Sequence, residues 1–194
     1  MDRQSMESAR EHAEAARHHL EKLNAEPRGG SDLRQHWMAF LTELNRAFNK
    51  LQHGAKQGKS GPWAGRIRHD LKTDELLCYL KNARDAHEHG VERVVSQEGT
   101  AEPMLSGDPK FLTSITIRFD DGSEMTAGGP DRPFMKIVDF RLRLVPATNH
   151  GRTYAPPTSH LGASLVSVTA EAIGELALTY LDSKIREGFA LVSS

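Results

Sequence analysis

The chain has 194 residues, with 25 Lys and Arg against 26 Asp and Glu. That is enough for one well-buried core and short for two full domains, and the near-neutral balance does not advertise a nucleic-acid binder. The single cysteine, Cys78, excludes an internal disulfide and suits a reducing compartment; a charged N-terminus and the lack of a bilayer-length apolar run predict a soluble, cytoplasmic protein with no membrane segment. In chain order, Met6, Ala9, Ala13, Ala16, Leu20 and Leu23 recur at three- and four-residue spacing and predict a first amphipathic helix, ended by Pro27, Gly29 and Gly30. Ser31 or Asp32 offers a cap for a second helix, with Trp37, Phe40, Leu41, Leu44, Phe48 and Leu51 on its apolar face. It runs down through Lys56 and Lys59 to a break at Gly61 and Pro62. Trp63, Ile67 and Leu71 mark a third segment. Thr73 or Asp74 then caps a helix carrying Leu76, Leu77, Leu80 and Ala83, with Gly90 as its natural stop.

Residues 96–109 read as a loop, from Gly99, Pro103, Gly107 and Pro109. The period then changes to two. Ile115, Ile117 and Phe119 form one alternation, Asp121-Gly122 signals a hairpin, Glu124 to Ala127 is a return strand, and Val138, Phe140, Leu142 and Leu144 form another alternation. Together they predict a small antiparallel β-meander. Asn149 to Pro157 reads as a loop, and a last helix runs from about Ser167 to Glu187, with Gly188 after it. The expected architecture is α+β: an antiparallel helical bundle over 1–95, a loop and β-meander elaboration over 96–165, and a C-terminal helix over 166–194 that packs back on the bundle in one compact domain.

The stretch with most chemistry is Arg84-Asp85-Ala86-His87-Glu88-His89, followed by Gly90. A permanently charged arginine beside a histidine that titrates near neutrality suits work on a phosphodiester. Residues five apart on a regular helix differ by about 140° around its axis, so Arg84 and His89 share a face only if the last turn opens or a second chain takes part. Asp85 and His89, and likewise Arg84 and Glu88, are spaced to pair along the helix. A helix-end histidine and a solvated Arg–Glu pair also account for the same residues without any activity. Lys56, Lys59, Arg66, Arg68, His69 and Lys72 belong to a basic run suited to phosphate contacts, or equally to a solvated connector. His87 and His89 are spaced poorly for a shared metal, and Gly128-Gly129-Pro130 lacks the Lys-Ser/Thr of a phosphate loop, so neither a metal nor another cofactor is expected.

The six residues from Arg84 to His89 resemble the R-x4-6-H motif of the HEPN superfamily, and Asp85 meets that motif's preference for Asn, Asp or His after the arginine. Two long amphipathic helices before the motif, and its place near the end of a later helix, are similar to that fold across about Glu7 to Val95. The resemblance implies an HEPN-like bundle acting as a homodimer. It implies a metal-independent endoribonuclease, with RNA as substrate and a toxin or phage-defence role, for which an antitoxin or other protein would be the partner. His89 would be the general acid or base, Arg84 would stabilise phosphate charge, and Asp85 would orient Arg84 or His89. Other HEPN domains are non-catalytic dimerisation or partner- and nucleotide-binding modules, which is the alternative expectation. The β-meander has no counterpart in the minimal fold.

Overall fold

The computed structural model describes residues 1–25, 30–55, 60–89, 94–103, 115–118, 124–127 and 135–192. It is mostly helical with short antiparallel strand pairs, an α+β chain. Two compact units are present: Met1–Gln97 together with Arg141–Ser194, and Glu98–Phe140.

The larger unit begins with α1 (Arg3–Asn24). Its N-cap is Asp2, whose carboxylate accepts from the Gln4 and Ser5 amides and the Ser5 hydroxyl. All six residues of the predicted apolar stripe are buried, so the three- and four-residue spacing does face the core. Helix α2 (Gly30–Gly54) returns antiparallel: the Asp2 amide donates to the Gly54 carbonyl at 2.9 Å, bringing the start of one helix to the end of the other. It starts ahead of Ser31 and Asp32, so neither is its cap, and it stops at Gly54, short of Lys56 and Lys59. Trp37 and Phe40 stack with ring centroids 5.1 Å apart in the core that α1 and α2 share. Each such fully buried side chain contributes roughly 1.5–3 kcal/mol.

Helices α3 (Gly61–Thr73) and α4 (Glu75–His89) meet at Asp74. The Asp74 amide closes α3 on the Asp70 carbonyl, and its carboxylate accepts from the Leu77 amide to start α4. Asp74 is thus the cap that the sequence offered beside Thr73. Helix α5 (Ala170–Val192) is capped by Thr169, whose hydroxyl accepts from the Ala172 amide. It passes through Gly188 and does not stop there. A Cβ at Gly188 would fall 2.4 Å from Met6 Cε, so this glycine serves close packing inside the helix. Trp63 Nε1 donates to Glu187 and Arg17 pairs with Asp182 at 2.6 Å, fastening α5 to α3 and to α1.

The strands are β1 (Val95–Pro103), β2 (Ile115–Arg118), β3 (Glu124–Ala127), β4 (Met135–Leu144), β5 (Ala147–Asn149), β6 (Arg152–Tyr154), β7 (Ser159–His160) and β8 (Ala163–Ser164). Among the described residues they pair as β1 with β4, β2 with β3, β5 with β6 and β7 with β8, so the single predicted meander is not what forms. β2 and β3 are antiparallel with Ile115 opposite Ala127, as the Asp121-Gly122 signal implied. The predicted loop at 96–109 holds β1, because its backbone finds a partner in β4 and pairing outweighs the weak local preference. The predicted loop at 149–157 likewise holds β6, since His150 and Gly151 both take positive φ and make the tight turn that closes β5 on β6.

Candidate functional site

The arginine–histidine motif occupies the last turns of α4, which is helical from Glu75 through His89. Positions 84 and 89 therefore stay about 140° apart around the axis, and the last turn does not open to bring them together. The Arg84 guanidinium donates from Nη1 to Asp85 Oδ1 at 3.0 Å, with the two side chains 24% and 23% exposed. Of the two orienting roles considered for Asp85, this contact fits the one toward Arg84. Partial desolvation strengthens the pair beyond a surface ion pair while leaving an edge of it open to solvent. His87 is exposed, and the side chains of Glu88 and His89 lie outside the described residues.

Helix α3 places Arg66, Arg68, His69 and Lys72 on its exposed side, opposite the buried Trp63, Ala64 and Ile67. Four consecutive-turn basic or titratable groups on one open face give a surface able to meet phosphate oxygens. Lys56 and Lys59 lie outside the described residues. Asp74 joins this helix directly to α4, so the basic face and Arg84 belong to one helical hairpin.

Two further polar clusters lie away from the motif. At the start of α4, the Asp74 carboxylate lies 2.9 Å from His160 Nδ1 and accepts from the Leu161 amide at 2.6 Å. Glu75 accepts from the Thr158 amide and hydroxyl and from the Ser159 amide, which hold its carboxyl below the usual range. Tyr180 donates to Asp70 at 2.7 Å; burial and that carboxylate push its hydroxyl pKa up. This cluster clasps the β7–β8 hairpin to the helices, and its bonded members are 83 to 110 residues apart in sequence. On α1 and α2, His12 contacts Glu43 at 2.6 Å and His19 contacts His36 at 3.3 Å. An i, i+7 repeat of polar residues on both helices (12 and 19, 36 and 43) was the one signal available for it.

Among the described residues no group of three or more His, Cys, Asp or Glu side chains is arranged to hold a metal, and no helix is long and apolar enough to cross a membrane. Comparison with protein-family profiles, curated proteins and solved structures gives no match to this chain.

Proposed function

We propose that the chain is an HEPN-like, metal-independent endoribonuclease that works as a homodimer, with a toxin or phage-defence role. The observation that carries this reading is the Arg84–Asp85 pair: a guanidinium held by a carboxylate, partly desolvated and partly open, one turn from His89 at the end of α4. Such a guanidinium is suited to the charge that grows on phosphate oxygens when a ribose 2′-hydroxyl attacks. His89 would move the proton. Because positions 84 and 89 lie on different sides of a continuous helix, each site takes Arg84 from one chain and His89 from the other. The exposed α3 groups Arg66, Arg68, His69 and Lys72 would guide the RNA backbone toward it.

The test is cleavage of a mixed RNA substrate in excess EDTA by the wild type, Arg84→Ala and His89→Ala. Each variant should lose about a hundredfold or more, the scale of one proton-transfer or charge-stabilising group. Mixing the two variants and allowing subunit exchange should restore part of the activity, since a mixed dimer contains one intact composite site. A wild type that leaves RNA uncut, or three proteins that cut equally, overturns the reading. The protein would then be better described as a non-catalytic module.

A further inference from the structure

The antiparallel register of α1 and α2 sets His12 against Glu43 and, two turns along, His19 against His36. The two Nδ1 atoms of the second pair are 3.3 Å apart, with ring centroids at 5.5 Å and planes tilted by 36°. The ring of His18 stands 5.9 Å from that of His19. Both helices are anchored on the core on either side of this pair, by Ala16 and Leu20 on α1 and by Leu33, Trp37 and Phe40 on α2. The backbone therefore fixes the spacing of the imidazoles.

Two facing Nδ1 atoms share one proton in their hydrogen bond, and the acceptor's lone pair points into the gap between them. A tetrahedral zinc ion with Zn–N bonds of about 2.0–2.1 Å spans two ligand nitrogens about 3.3–3.4 Å apart. The pair already has that separation.

We propose that His19 and His36 form a two-imidazole site for a borderline transition-metal dication, Zn2+ or Cu2+, which replaces the shared proton and pins α1 to α2. Water fills the remaining positions. Hard, oxygen-seeking Mg2+ and Ca2+ have no place there. The site lies on different helices from Arg84 and His89, and it stands whether or not the chain cuts RNA.

The test uses the untagged full chain, titrated calorimetrically with ZnCl2 and with CuCl2 near pH 7.5, alongside thermal unfolding with and without metal. One metal per chain should bind to this pair and raise the unfolding temperature, because the unfolded chain lacks the fixed spacing. His19→Gln and His36→Gln should each weaken binding by about tenfold or more, while His53→Gln leaves it unchanged. Binding should weaken on acidification as protons compete for the same nitrogens. The copper-loaded wild type supplies a readout independent of any variant's folding: its electron paramagnetic resonance spectrum should show coupling to imidazole nitrogen. Absence of that coupling, no binding of either metal, or equal binding by the wild type and both variants overturns the proposal. MgCl2 at the same concentrations should give no shift, and an equal shift would overturn it too.

Discussion

At the scale of single residues, the His19–His36 contact also makes the fold sensitive to acid. The hydrogen bond across 3.3 Å needs one neutral ring, and a second proton turns attraction into repulsion of about 1 kcal/mol in water, more where solvent is partly excluded. Burial first, then His36 and His18, hold the folded His19 below its ordinary value of 6.5, while Glu43 opposes them. The unfolded chain therefore binds more protons than the folded one once pH falls below about 6.5, and stability drops with falling pH through that window. Of the other titratable groups facing this interface, His18 lies beside His19, and His12 and Glu43 contact each other two turns away. Urea unfolding followed from about pH 8 to pH 5 should show a declining free energy that is shallower in His36→Gln. An identical slope in that variant would mean that the pair has no part in the acid response.

At the scale of elements, two glycines in helices carry opposite expectations. A Cβ built on Gly54 would lie 2.7 Å from Ser5 Cβ and 3.4 Å from the Asp2 carbonyl oxygen. Ser5 Cβ is tied to the α1 backbone and has nowhere to swing, so the end of α2 must part from the start of α1, straining the bond from the Asp2 amide to the Gly54 carbonyl. Overpacking of this kind costs about 1–3 kcal/mol, only part of which alanine's helix preference of about 1 kcal/mol offsets. Gly65, inside α3, meets nothing within 4 Å, and Gly65→Ala should stabilise by about 0.5–1 kcal/mol. Urea midpoints of the two variants should move in opposite directions, and a stabilised Gly54→Ala would show that the helix ends have slack. The same contrast explains what was legible beforehand. Apolar periodicity over Met6–Leu23 and Trp37–Leu51, and the cap at Asp74, are local properties and could be read residue by residue. The role of Gly188, the pairing of β1 with β4 and the clasp of Asp74 on His160 depend on what arrives from elsewhere in the chain, and no local pattern encodes them. The candidate site divides in the same way: the motif was visible as spelling, whereas the grip of Asp85 on Arg84 and the unbroken last turn of α4 were not.

At the scale of the molecule, the larger unit is built from two separated stretches of chain, Met1–Gln97 and Arg141–Ser194, and the segment between them is a unit of its own. The stretches come together where the chain leaves and re-enters the larger unit. The Val145 amide donates to the Val94 carbonyl at 3.3 Å, and the Tyr79 hydroxyl of α4 donates to the Val145 carbonyl at 2.7 Å with the Val94 carbonyl 3.2 Å away. Burial pushes the Tyr79 hydroxyl pKa up, so it remains a donor throughout the physiological range. This junction holds the two strand ends side by side within the larger unit. Removing Glu98–Phe140 and joining Gln97 to Arg141 through Asn-Gly, a pair suited to a tight two-residue turn, should therefore leave the five helices folded. Shortening the connection also lowers the entropy of closing it, by about 0.6 kcal/mol for each halving of its length where the removed segment closes as a flexible loop. Circular dichroism of the shortened chain should retain the helical signal, and urea unfolding should remain cooperative with a free energy no lower than that of the full chain. A molten, non-cooperative transition would mean that Glu98–Phe140 is part of what holds the helices, and that the Tyr79 junction does not close the larger unit by itself.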